Sequence, residues 1–300
     1  MIFILGWPKC GTSSLFNWLS AHPDIQGSVP KETFFLMDRG HPLYARHGHT
    51  FDEVGEGGFE AFFDGPADRR VRLEATTHHV FQDNARNFVS KMNYTPHLIL
   101  LLREPAQRIR SSFTFTRDNL GAIAPSYSFD CYVEMLLAAA TKDMAPHFYS
   151  ASSLWVLQRE LLWSDYIYWL NLWRNIVPPE NLHVVLFEDM KLAPAATMGH
   201  LLQRLGLEPI RDPVVAHKNE SVRIGHHWLH RLARRVNLLI PNGATKALLR
   251  QRYLAFQERS ARGEEDYRQG LEALRRYFAP ANISLAQHYQ LDLRKWQADG

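Results

Sequence analysis

The sequence predicts an α/β protein: a single domain built on a mostly parallel central sheet flanked by helices. Three observations carry that expectation. Short apolar runs alternate with longer stretches of helical spacing. The run His97–Leu102, HLILLL, is apolar on both sides, as a strand buried on both sheet faces must be. A glycine-containing polar loop joins the first apolar run to the first helical stretch, giving strand, loop and helix in succession. Buried strands alternating with helices are the pattern of a parallel sheet covered on both faces.

In chain order, Ile2–Leu5 forms the first strand and stops at Gly6, and Ser13–Ala21 follows as a helix with Leu15, Trp18 and Leu19 on one face. Residues 38–70 are rich in glycine and histidine and lack periodicity, so they read as a long irregular excursion of the functional or mobile kind. Val71–Ala75 and His97–Leu102 are the next strands. Pro105 suits the first turn of a helix running to about Thr116. A fourth strand, Leu182–Phe187, follows the turn at Pro178-Pro179, and further helices are expected near 129–140, 153–175, 195–205, 245–259 and 266–278. No internal repeat or long linker divides residues 1–300, which favours one domain.

Composition narrows the class. Of 300 residues, 46% are hydrophobic and 22% charged, which excludes a disordered or fibrous chain. A chain of this length buries roughly 75% of its unfolded surface and needs no disulfide or metal staple. Its two cysteines, Cys10 and Cys131, suit a reducing compartment. The net charge of +3 is too small for a protein that coats nucleic acid. No apolar run approaches the ~18 residues of a membrane span, and MIFILGWPKC lacks the basic start of a signal peptide. The expectation is a cytoplasmic enzyme with neither a membrane nor a nucleic-acid partner, its oligomeric state left open.

The first loop carries the most chemistry. Gly6 and Gly11 have the G-x-x-x-x-G spacing of a nucleotide-triphosphate loop, but Thr12 and Ser13 follow where that loop has Lys and then Ser/Thr. The cation, Lys9, lies inside the loop instead. Hydroxyls at Thr12, Ser13 and Ser14 with one cation suit a single phosphate bearing one transferable group. An ordinary strand–helix turn with Ser/Thr capping is the competing reading.

PKCGTSSL, residues 8–15, resembles the 5′-phosphosulfate loop of sulfotransferases that use 3′-phosphoadenosine 5′-phosphosulfate (PAPS), whose pattern is roughly PKxGTTxL. A second stretch, Arg103 to Ser111, resembles the family's RNPxxRxxS signature, with Glu104 in place of the usual Asn. The segment 164–194 is similar to the family's later helix, turn, strand and Glu-Asp stretch, with Ser164 where glycine is common. The resemblance implies a P-loop-like fold and sulfuryl transfer from PAPS to a hydroxyl of a carbohydrate or small-molecule acceptor. Adenosine 3′,5′-bisphosphate (PAP) is then the product and no metal is required. Lys9, Cys10, Gly11, Thr12, Ser13 and Ser14 would cradle the phosphosulfate, with Lys9 also catalytic at the leaving group. Arg103 and Ser111 would hold the 3′-phosphate, and Lys218 and Asn219 would add late donors.

The resemblance leaves two bases open. PKETFF, residues 30–35, resembles the KEPHFF-like segment of heparan-type enzymes, which puts the base at Glu32 beside Lys31. In the cytosolic aryl and steroid enzymes the base is a histidine some twenty-odd residues before the 3′-phosphate arginine. Here His78 and His79 lie 25 and 24 positions before Arg103. Ala75 replaces the lysine of the heparan-type EKSPSYF, so no lysine role carries over there. The order of preference is Glu32, His78, His79. A P-loop-type metabolite kinase and a non-catalytic nucleotide- or anion-binding module are the rival functions. His226 and His230 have helical i, i+4 spacing without the glutamate of a metal motif, and the arginines of 231–235 and 249–252 read as solvated helix faces.

Overall fold

The computed structural model describes residues 1–63, 71–140, 142–209 and 266–296. Five strands, Ile2–Gly6 (β1), Ile25–Gly27 (β2), Val71–Glu74 (β3), His97–Leu102 (β4) and Leu182–Leu186 (β5), form one sheet in the order β2-β3-β1-β4-β5. Every pairing is parallel. The expected fold class holds: an α/β domain with a five-stranded parallel sheet and flanking helices. β1 is buried along its whole length, and β4 from its second residue on, as strands covered on both faces must be. β2 went unforeseen because three residues at a sheet edge show no alternation.

The helices are α1 (Thr12–Ser20), α2 (Phe51–Val54), α3 (Asp83–Ser90), α4 (Pro105–Thr114), α5 (Phe129–Leu137), α6 (Ala151–Leu157), α7 (Glu160–Ser164), α8 (Tyr166–Arg174), α9 (Phe187–Leu192), α10 (Pro194–Arg204) and α11 (Arg268–Tyr289). Two expectations change in detail. The single helix expected over 153–175 is three pieces, α6, α7 and α8. The helix expected to end at 278 runs on through Pro280 to Tyr289, with Leu271, Leu274, Phe278 and Leu285 buried at spacings that keep one face inward. The helix expected over 245–259 lies outside the described residues.

The chain divides into two compact units. The first holds Met1–Glu104 with described residues 165–209 and 280–296, and so contains the entire sheet. The described part of its excursion, residues 38–63, is irregular, as expected, but well packed. α2 and a 3-10 turn over Glu56–Phe62 deliver Phe51, Phe59 and Phe62 to Phe35, with ring centroids 5.7–6.3 Å apart. Phe59 also reaches Phe3 of β1 at 5.9 Å and Phe88 of α3 at 5.1 Å.

The second unit holds Pro105–Ser164 and described residues 266–279. Ile109, Phe113, Phe129, Tyr132, Leu157, Leu274 and Phe278 form its core. Within it, the guanidinium of Arg108 is fully buried and ion-paired with Glu160, and its Nη2 also donates to Ser164 Oγ at 2.5 Å. The serine that replaces the expected glycine at 164 therefore supplies an acceptor to a buried charge, which would otherwise be costly.

Strand order fixes where a ligand can lie. From β1 the chain moves to β2 and β3 on one side of the sheet, then crosses to β4 and β5 on the other. The point where direction reverses is the crevice outside the carboxyl ends of β1 and β4, where open parallel sheets bind ligands.

Candidate active site

The loop after β1 leaves the sheet through a hydrogen bond from Trp7 N–H to Leu101 O of β4, 3.0 Å long. Trp7 is fully buried, with its ring 4.8 Å from Tyr166 and 6.3 Å from Phe81, so it belongs to the core. Lys9 has φ +70, a left-handed conformation that costs an L-residue about 1–2 kcal/mol. Cys10 is buried, and its thiol points back to Pro8 O at 3.8 Å. Gly11, at φ +86, is the N-cap of α1, and a Cβ there would lie 2.9 Å from the Phe187 ring. No side chain caps α1, contrary to the competing reading of a Ser/Thr-capped turn. Among the described residues no acceptor meets the N–H groups of Gly11, Thr12 and Ser13, so the loop presents a run of backbone donors at a helix start.

Arg103 follows β4 directly. Its Nη1 donates to Lys9 O at 3.2 Å, and its guanidinium carbon lies 4.8 Å from the Phe187 ring centroid. Its carbonyl accepts from Tyr166 Oη at 2.8 Å, and the next N–H, of Glu104, donates to Glu188 Oε1 at 3.0 Å. The expected cations of the two loops thus converge at the β1/β4 crevice. Burial, with the Arg103 charge second, lowers the Lys9 ammonium to about 8; Cys10 opposes this. Such a lysine gains from any anion brought beside it.

On the other side of β1, the segment 28–38 is hung on the end of β3. Glu74 is completely buried. Its Oε1 accepts from Thr33 N–H at 3.3 Å, Thr33 Oγ1 at 3.0 Å, Thr76 N–H at 2.9 Å and Thr76 Oγ1. Burial pushes the Glu74 carboxyl up, but the adjacent His79 imidazole and the hydrogen bonds of His79 and Thr76 outweigh it, leaving the group below its ordinary value. His79 is fully buried: Nδ1 lies 3.3 Å from Glu74 Oε2 and Nε2 accepts from Leu36 N–H at 3.3 Å. Fully buried, with Nδ1 against Glu74 and Nε2 bonded to the main chain, His79 is packed into the fold, which speaks against the least favoured base.

Glu32 and His78 differ from it. Glu32 is about a third exposed and ion-paired with Lys31 Nζ at 3.0 Å; the same ammonium donates to Ala75 O at 3.0 Å. Where the heparan-type pattern has a lysine at 75, this chain thus brings Lys31 to the backbone of that position. His78 is half-buried, its ring 5.1 Å from His41 and 6.1 Å from Phe81, and its carbonyl accepts from Gln82 Nε2 at 3.1 Å. The His41 contact was not foreseen, since nothing in a glycine-rich loop signals which histidine turns inward. Ser111 lies half-buried on α4 in the second unit. Lys218 and Asn219 lie outside the described residues, as do the histidines of 226–230 and the arginines of 231–235 and 249–252.

A parallel sheet with two cation-bearing loops at its topological switch point is an α/β fold of P-loop-like build. The Sulfotransferase domain model matches residues 1–223, and the chain belongs to that family. It is 25% identical over 295 residues to the bifunctional heparan sulfate N-deacetylase/N-sulfotransferase of Drosophila melanogaster, covering 95% of this chain and 25% of that protein. The chain therefore spans about a quarter of that relative. The sulfotransferase from Alicyclobacillus acidocaldarius has the same fold, with a TM-score of 0.60, 19% identity, and 99% of this chain and 98% of that one covered. Among the described residues no helix is long and apolar enough to cross a membrane.

Proposed function

We propose that this sulfotransferase takes its sulfuryl group from PAPS and passes it to a hydroxyl of a carbohydrate or small-molecule acceptor. The observation that carries this reading is the convergence of Lys9 and Arg103, bonded through Lys9 O and framing one crevice. A nucleotide with phosphates at both its 3′ and 5′ ends is the ligand that needs two separate cations there. A carbohydrate acceptor is supported by the Drosophila relative, whose name specifies heparan sulfate.

In this account the amides of Gly11–Ser13 and the hydroxyls of Thr12, Ser13 and Ser14 cradle the 5′-phosphosulfate, with Cys10 filling the loop behind them. Arg103 and Ser111 hold the 3′-phosphate, with Lys218 and Asn219 as further donors. The acceptor oxygen forms a bond to sulfur as the bond from sulfur to the bridging phosphate oxygen breaks. Lys9 neutralises the negative charge that departs with that oxygen. Glu32 takes the acceptor's proton, with Lys31 holding its carboxylate, and His78 is the alternative base.

Transfer of labelled sulfate from PAPS into an acceptor library tests the reading, paired with thermal shifts by PAP and by ATP-magnesium. Labelled product and a larger shift with PAP are expected. A larger shift with magnesium-dependent ATP turnover would replace the reading by a kinase. PAP binding without transfer to any acceptor would replace it by a non-catalytic module.

A further inference from the structure

The groups that hold Arg103 in place belong to neither phosphate motif. We infer that Glu188, gripped by Trp296 near the end of the chain, is a positioning residue that sets Arg103 for the 3′-phosphate. The inference rests on the proposed role of Arg103.

Glu188 uses both carboxylate oxygens: Oε1 accepts from Glu104 N–H at 3.0 Å, and Oε2 accepts from Trp296 Nε1–H at 3.0 Å. The peptide between Arg103 and Glu104 is therefore held from two sides, by Glu188 on its N–H and by Tyr166 Oη on its carbonyl. Phe187, the residue before Glu188, lies against the guanidinium. Backbone and side chain of Arg103 are thus both fixed by the first turn of α9. Trp296 is buried and completes the frame, its ring 6.1 Å from that of Tyr166. Tyr166 also touches Trp7 of the first loop, so one aromatic side chain connects the supports of both cations. Lys295 pairs with Asp189 beside Glu188, which anchors the tail on α9 a second time. An arginine that grips phosphate through parallel bonds works only in a narrow range of orientations, and such support is worth affinity without touching the ligand.

The test uses the full-length protein and two nucleotides: PAP, which carries a 3′-phosphate, and adenosine 5′-phosphosulfate, which does not. Glu188→Ala should weaken PAP about tenfold, the size of one lost charge-assisted hydrogen bond, and leave adenosine 5′-phosphosulfate unchanged. Trp296→Phe keeps an aromatic ring at this position, removes the N–H donor with part of the indole, and should give a smaller loss with the same selectivity. In an Arg103→Ala background, Glu188→Ala should have no further effect on PAP. Equal weakening of both nucleotides, or no weakening in either variant, overturns the inference. If Glu188→Ala does not fold, Trp296→Phe and Glu188→Gln decide on the same criterion. Failure of the underlying reading looks different: the unmodified protein would not prefer PAP over adenosine 5′-phosphosulfate at all.

Discussion

The two flanks of β1 hold their candidate groups differently. At the β1/β4 crevice, Lys9 and Arg103 are fixed through main-chain groups: a left-handed backbone at Lys9, its carbonyl bonded by Arg103, and the Arg103–Glu104 peptide bonded at both ends. Toward β3, the segment bearing Glu32 is fixed by side chains, above all by the single buried carboxylate of Glu74 gathering Thr33, Thr76 and His79. The cations proposed to meet the nucleotide are held at their main chain by several separate groups. The proposed base sits on a segment whose place depends on one ionised side chain, so it is the more easily lost.

The largest effect is expected at the β1/β4 crevice. Lys9→Ala should lower turnover about a thousandfold, the scale of losing a group aimed at charge developing in the transition state. Steady-state transfer with saturating donor measures it, and a loss under tenfold would remove Lys9 from the chemistry. On the other flank, Glu32→Gln should cost about a hundredfold in kcat with the donor KM little changed. His78→Ala, assayed beside it, should cost far less; the reverse order would move the base to His78.

Glu74→Ala should destabilise the protein by about 3 kcal/mol, because Thr33, Thr76 and His79 lose their buried acceptor together. Denaturant unfolding checks it. The folded-state carboxyl lies below its ordinary value, so this stability is present above the ordinary carboxylate range and lost as pH falls through the folded value. The gap between wild type and variant should therefore close in acid. The smallest effect is one of pH. Lys9 loses its proton as pH rises through about 8 in the free protein, so PAP affinity should begin to fall there. In Lys9→Arg the cation persists and the break should vanish; a break that survives belongs to another group.

The same contrast decides what was legible in the sequence. The first loop and the Arg103 helix are local motifs in which adjacent residues specify adjacent geometry, and β4 was read to its residue limits because an unbroken apolar run has sharp ends. The Glu74 network joins residues some forty positions apart, and the bonds from Glu188 to Glu104 and from Trp296 to Glu188 span more still. No periodicity marks such pairs. His78 already stood ahead of His79 in the sequence, but that His79 is the one turned into the core needed the fold, since nothing local distinguishes two adjacent histidines. The three-piece helix over 151–174 was hidden because apolar spacing continues across its breaks, one of them at Arg159, whose guanidinium lies over the Trp155 ring.

On the proposed reading, Lys9 and Arg103 hold opposite ends of one nucleotide. Calorimetric titration of Lys9→Ala and Arg103→Ala with adenosine 3′-monophosphate and adenosine 5′-monophosphate tests it most directly. The account predicts a crossed result: Lys9→Ala loses the 5′-monophosphate and keeps the 3′, while Arg103→Ala does the reverse. Parallel losses of both ligands in both variants would contradict it.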